Sequence, residues 1–235
     1  MIKKIFIYWG QKFNNAPKVV SKCLLSWKIR NPTWEIIELN DDNLNEYINL
    51  DEIINIKNKQ ITKTAYSDII RIFLLDKFGG CWCDATTFCN QPLDDWLCKN
   101  IQSGFFAFDK PGKDRLLSSW FLYSEKNNYI VSKWKEATIN YWNNNNKIHT
   151  YFWFHYLFKD LYKNDNEIKR LWNLTPKISA DFPHFLQNNN LLSIPTVSVK
   201  NHIKQKLLLY KLTYKFDIKK YSNKCILGYL YKTIR

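Results

Sequence analysis

Two carboxylates and a guanidinium, Asp68, Arg71 and Asp84, are the side chains best suited to bind or react. Asp68 and Arg71 stand three positions apart in a run with helical periodicity, which puts them on one face. On an exposed surface such a pair would be a plain salt bridge of small energetic weight. Asp84 has a different setting. It follows a Gly79-Gly80 stop and closes a short β-like run. In open α/β sheets, ligands bind outside the carboxyl ends of the strands. A carboxylate there, with Thr86 and Thr87 close by, suits a hard divalent cation that also touches a diphosphate.

The secondary structure around these residues follows from the pattern of apolar side chains. Lys4 to Trp9 reads as a first strand. Pro17 to Arg30 carries helical spacing through Val20, Leu24 and Trp27, and Asn31-Pro32 ends it. Trp34 to Leu39 alternates as a second strand, and Asn40 to Asn43 is a turn or cap. The most regular helix covers 64–78, with Ile69, Ile70, Phe73 and Leu74 on helical spacing and Gly79-Gly80 as its stop. Residues 81–88 are short and β-like, and 103–108 read as a further strand. Beyond Trp120 the chain looks mostly helical, broken by a polar turn at Asn143 to Asn146. Strand, helix, strand in this order predicts an α/β fold with a mostly parallel sheet flanked by helices and a largely helical C-terminal part. With no internal repeat and no linker, residues 1–199 are expected as one domain, and 200–235 as a basic extension packed on it.

The order of residues from Ala65 to Thr86 says more than spacing does. It contains Ser67-Asp68, Arg71, Leu75, Gly79-Gly80, Trp82 and Asp84. That series resembles the S-D-x-x-R-x-x-x-L-x-x-x-G-G-x-W-x-D signature of bacterial capsular-polysaccharide-synthesis glycosyltransferases, close to glycosyltransferase family 32. Phe6 to Gly10, Ala16-Pro17 and Asn31-Pro32-x-Trp34 resemble that family's opening. Tyr151 to Phe158 and Lys211 to Lys215 resemble its later blocks, so the likeness covers most of the chain.

The resemblance implies a GT-A-type fold and a nucleotide-sugar donor, most simply a UDP-sugar. It implies Asp84 as the first acid of a D-x-D motif holding Mn²⁺ or Mg²⁺, which would act as a Lewis acid on the leaving diphosphate. Thr86 stands where the second acid would be and supplies a hydroxyl without charge. Asp68 and Arg71 would contact the donor sugar and phosphate, and with Asp84 form the catalytic set. Trp82 and Ala85 belong to the same nucleotide-sugar-binding stretch, and Tyr8 and Trp9 would flank the base. His155 and Trp153, in an aromatic later block, are acceptor-site candidates, with Trp120 and Trp142 as further possible groove residues. Transfer would retain anomeric configuration and go to a growing surface polysaccharide or lipid-linked glycan. Two alternatives use the same residues: a toxin-like enzyme that glycosylates a protein, and a non-catalytic sugar- or polyanion-binding module.

Composition bounds the remaining classes. The chain has 235 residues, is 46% apolar and carries a net charge of +14. Apolar content this high excludes a disordered chain, and no stretch reaches the ~20 apolar residues of a membrane span. The charge is uneven. Residues 200–235 hold ten basic side chains against one acid, a charge of +9, and the preceding 199 residues carry the other +5. If Ile203 to Phe216 is helical, Lys204, Lys211 and Lys215 share one stripe beside an apolar stripe of Ile203, Leu207, Tyr210 and Tyr214. Such an element suits an anionic membrane surface. The competing explanations are a core-packing helix with a solvated lysine face and a surplus of A- and T-rich codons. No nucleic-acid-binding motif accompanies the charge, so no nucleic-acid partner is expected.

The N-terminus reads as a strand rather than a signal peptide, so a cytoplasmic protein with reduced cysteines is expected, and the basic segment would hold it on the inner membrane face. Cys81 and Cys83 are spaced too closely for a zinc pair and are expected as small buried hydrophobes.

Overall fold

The computed structural model describes residues 1–54, 56–205 and 207–234. Its centre is a five-stranded mixed sheet in the order β2-β1-β3-β6-β5. Strands β1 (Lys4–Tyr8), β2 (Glu35–Leu39) and β3 (Gly80–Asp84) run parallel. They are linked by α1 (Lys18–Arg30), the short α2 (Leu50–Ile54) and the long α3 (Lys63–Phe78). The chain then forms β4 (Thr87–Cys89) and α4 (Leu93–Trp96), followed by a hairpin of β5 (Phe105–Gly112) and β6 (Arg115–Ser124). Because β6 arrives through that hairpin it lies antiparallel to β3, so the parallel part of the sheet is confined to β2-β1-β3. Helices α5 (Tyr129–Asn144), α6 (Trp153–Asn164), α7 (Asn166–Leu174), α8 (Asp181–Asn188) and α9 (Val197–Lys204) follow. Strand β7 (Leu209–Lys211) pairs antiparallel with β4 as a separate ribbon, and α10 (Ile226–Tyr231) comes last.

Alternation along β1 sends Ile5 and Ile7 to one side and Phe6 to the other. Ile5 and Ile7 pack with Val20 and Trp27 of α1, and Phe6 packs with Ile69 and Phe73 of α3. Both faces of the strand are therefore covered, which is why the sequence reads as a nearly continuous apolar run. Helix α3 is itself sandwiched between the sheet and α5. The Thr62 hydroxyl caps its start by accepting the Ala65 N–H at 3.2 Å. Gly79, at φ 67°, ends it with an N–H bond to the Leu75 carbonyl at 2.9 Å. A helix buried this thoroughly has little room for charge, yet Asp68 and Arg71 are among its buried residues.

The expected helix over Ile203 to Phe216 does not form. Helix α9 ends at Lys204, and residues 209–211 are strand β7. Lys204, Lys211 and Lys215 thus share no stripe. Pairing with β4 satisfies the backbone of β7 and buries Tyr210 beside Phe88, Ile203 and Leu227. Ile203 and Tyr210 of the segment are buried in the protein, whereas Tyr214 is 40% exposed. Lys206 and Arg235 lie outside the described residues. Among the described residues no helix is long and apolar enough to cross a membrane.

Gly80 opens β3 at φ 91°, and a Cβ there would lie 2.7 Å from the Lys4 carbonyl oxygen. Gly80→Ala combines backbone strain with a clash against β1, a loss of about 1–3 kcal/mol. Thermal melting should show a midpoint lowered by about 2–4 °C per kcal/mol. An unchanged midpoint would contradict the fit of β1 against β3.

Candidate active site

Helix α3 delivers Asp68 and Arg71 to the carboxyl edge of the parallel strands, where β3 ends in Asp84 and β1 in Tyr8. The ladder pairs Tyr8 directly with Asp84. Arg71 is the hub. Its guanidinium makes hydrogen bonds to the Ser67 carbonyl and hydroxyl, the Ser119 carbonyl of β6 and Asp84 Oδ1 (3.1 Å). It also lies 2.9 Å from Asp68 Oδ1, and its plane sits 5.2 Å from the Trp82 ring. Asp84 is held from both sides. Oδ1 accepts from Arg71 and from the Trp82 indole N–H at 3.0 Å, and Oδ2 accepts from Lys211 at 2.7 Å.

The two acids are driven in opposite directions. Burial pushes the Asp68 carboxyl up to about 7, against the lowering pull of Arg71. Burial also opposes the charge of Asp84, but Lys211 and Arg71 together hold it below the usual carboxylate range. Asp84 keeps 24% of its side chain open to solvent, whereas Asp68 keeps 5%.

These groups line a cleft of about 330 Å³ with Arg115, Ser119, Trp120, Tyr151, His155 and His184. Arg115 is braced by the Phe152 ring, 3.6 Å from the guanidinium carbon. Burial, followed by the charges of Arg71 and Arg115, depresses His155 to about 3, so its imidazole is neutral. A second cleft is lined by Tyr8, Trp9, Asp41, Ile61, Lys63, Tyr66 and Tyr214. Tyr8 donates its hydroxyl to Asp41, Trp9 meets Tyr214 edge to face at 5.3 Å, and the Trp9 indole N–H is buried without a partner.

The structure therefore brings Asp68, Arg71, Asp84 and His155 into one cleft and Tyr8 and Trp9 into its neighbour. Trp82 and Ala85 are buried, and Trp82 orients Asp84 rather than forming a cleft wall. Trp153 packs in the core with Trp142 and Tyr141, its N–H beside the Asp68 carboxyl but short of a hydrogen bond. Trp120 does line the cleft. Cys81 and Cys83 are buried free thiols.

Thr86 lies beside Asp84 as expected of a ligand pair, yet the space between them is filled. Lys211 Nζ donates to Asp84 Oδ2 and to Thr86 Oγ1 at 2.9 Å. A Mn²⁺ or Mg²⁺ ion would need those same oxygens, and such ions take about six oxygen ligands. As a donor set, Asp84 and Thr86 do not fit a divalent cation while the ammonium holds them. Lys211 is the site residue that the reading of a basic stripe misplaced. Its place in the Lys211 to Lys215 block was the available signal. Tyr151 had the same kind of signal in the Tyr151 to Phe158 block, and Arg115 and His184 carried none.

A family profile described as "Capsular polysaccharide synthesis protein" matches residues 1–232. The O-glycosyltransferase BraB of Annulohypoxylon truncatum is 23% identical in an alignment 159 residues long that covers 60% of this chain. The same alignment covers 38% of that relative, so the chain spans well under half its length. A solved structure described as PaToxG glycosyltransferase matches with a TM-score of 0.47 at 14% identity, over 99% of this chain and 85% of the other. That likeness is too distant to carry an argument.

The raised pKa of Asp68 has a measurable sign. The folded chain keeps a proton there up to about pH 7, while the unfolded carboxyl releases it near about 3.9. The resulting stability is complete below about pH 4 and is lost as the pH rises through about 7. Asp68→Asn, which does not titrate, should flatten that fall. Denaturant midpoints at about pH 5 and about pH 7.5 compare the two proteins. An identical pH dependence would show that Asp68 is ionised throughout.

Proposed function

This chain belongs to the capsular polysaccharide synthesis protein family, and on that footing we propose that it is a glycosyltransferase acting from a nucleotide sugar. The donor is a hexose or hexosamine on a nucleoside diphosphate, UDP foremost. The acceptor is a growing capsular or surface polysaccharide, or a lipid-linked glycan. The observation that carries the reading is the pairing of two unlike clefts across the Tyr8–Asp84 ladder position. The aromatic cleft suits a base, with Asp41 on its wall for the polar edge. The charged cleft suits a diphosphate and sugar, with Lys211 and Arg115 as cations on its wall.

In this mechanism the bond between the anomeric carbon and the phosphate oxygen breaks, and its electron pair leaves with the diphosphate. The glycosyl group passes to the acceptor hydroxyl, whose proton goes to the departing phosphate. Fixed cations facing the developing charge supply most of the stabilisation, because they need no reorganisation during the reaction. Asp68 is paired with Arg71, and Asp84 with Arg71 and Lys211. Neither is a free nucleophile, which favours same-face transfer with retention. Asp84, the more open acid, accepts from a sugar hydroxyl. Asp68 and Arg71 position it. His155 and Tyr151 line the same cleft and approach the acceptor.

The exposed Lys204, Lys215, Lys219, Lys220, Lys224 and Lys232 favour a peripheral place on an anionic inner leaflet, by charge alone. Flotation with anionic vesicles should show binding that falls steeply with salt. Binding to neutral vesicles that survives salt would rule this attachment out.

A thermal-shift panel of UDP-, GDP-, CMP- and dTDP-sugars identifies the donor, because a ligand of the folded state raises the melting point. With that donor, Asp84→Asn should lower turnover about 10²–10³-fold, the scale of losing one oriented polar group at a reacting centre. If the wild type turns over no donor, or the variant keeps the full rate, the assignment falls.

A further inference from the structure

We propose that the ammonium of Lys211 takes the place of a divalent metal ion, so that donor diphosphate is bound and its departure stabilised without a metal. This rests on the glycosyltransferase reading and assigns a residue to it that the expected metal-dependent chemistry would leave without a role.

Four observations converge on it. The first is position. Lys211 Nζ lies 2.7 Å from Asp84 Oδ2 and 2.9 Å from Thr86 Oγ1, the two oxygens that a metal at this edge would use. The second is charge. A divalent cation between two carboxylates and an ammonium on one carboxylate have the same net charge. Thr86 in place of a second acid therefore matches a monovalent cation rather than a divalent one.

The third observation is that the lysine is built in. Its side chain is 16% exposed, and the pairing of Thr87 with Lys211 in the β4–β7 ribbon fixes where it starts. The Leu212 N–H bond to the Thr86 carbonyl at 2.9 Å locks the next residue to the same loop. The fourth is spare capacity. An ammonium has three N–H donors, and Asp84 and Thr86 take two of them. The third is available in the cleft that Lys211 lines. Arg71, by contrast, already makes four hydrogen bonds to protein groups and an ion pair to Asp68. It is a positioning residue, and phosphate contact falls to Lys211 and Arg115.

The step balances without a metal. The carbon–oxygen bond at the anomeric centre breaks with its electron pair staying on the diphosphate oxygen, the acceptor oxygen bonds to the anomeric carbon, and the acceptor's proton passes to the departing phosphate. Lys211 remains protonated and gives a charge-assisted hydrogen bond to that oxygen.

Calorimetric titration of the full chain with UDP and GDP, in EDTA and in Mn²⁺, tests this directly. The nucleotide that binds should do so equally in both, and donor turnover should survive EDTA. Lys211→Met should weaken binding about 10–100-fold, as expected for a lost hydrogen bond between charged groups, while the melting curve stays cooperative. Electron paramagnetic resonance of Mn²⁺ added to the wild type, without nucleotide, should show no stoichiometric site; this arm needs no variant. Nucleotide binding that requires Mn²⁺, a stoichiometric Mn²⁺ site that disappears in Asp84→Asn, or full affinity in Lys211→Met would each overturn the role of Lys211. Those three results would leave the glycosyltransferase reading standing. Failure of every nucleotide to bind, with or without Mn²⁺, would overturn both.

Discussion

The guanidinium of Arg71 stands between two carboxylates that could not otherwise share this interior. Once Asp68 ionises it and Asp84 repel each other, and burial penalises the charge of both. A cation placed between them turns repulsion into two attractions, and the planar fork of arginine reaches both at once. Pairs buried this way are expensive to break, because removing one partner strands the other charge. The fold accordingly fixes Arg71 from several directions: Ser67 on its own helix, the Ser119 carbonyl on β6 and the Trp82 ring on β3. Helix, hairpin and central strand all meet at one side chain.

That arrangement explains the division of labour at the edge of the sheet. Arg71 is occupied holding acids in place, so it is poorly suited to grip a ligand. Asp84, fixed by Arg71 and Trp82 on one oxygen, presents its other oxygen in a defined direction. Lys211 meets it there from a ribbon that is not part of the main sheet. The site is thus assembled from two independent supports. Strand β3 brings the acid, and β7 brings the cation.

Much of this was legible in the sequence. The run from Ser67 to Asp84 announced a helix, a glycine stop and a strand, and the structure has all three with nearly the expected bounds. Tyr8 and Trp9 were placed at a strand end, and they line a cleft there. What escaped the reading shares one cause: it depends on contacts between distant parts of the chain. Periodicity placed Lys211 on a helix with Lys204, but pairing with β4 overrode it. Trp153, Trp142 and Trp120 look alike as aromatic candidates, and only tertiary packing shows that all three are buried and that Trp120 alone of them also lines the cleft. The antiparallel turn of the sheet at β6 was equally hidden, since a strand's direction is set by its hairpin and not by its composition.

The β4–β7 ribbon has a consequence for the timing of assembly. Asp84 and Lys211 are 127 positions apart in the chain. A ribosome working from the N-terminus therefore presents β1, β2, β3 and the Asp68–Arg71–Asp84 group long before the lysine exists. Until residue 211 is made, Asp84 Oδ2 lacks the ammonium from which it accepts in the folded chain. The ribbon is only three residues long on each side, so a shift of one position would turn Lys211 to the opposite face. The balance of charge at the site is thus a late event in synthesis, reached only when β7 docks in register.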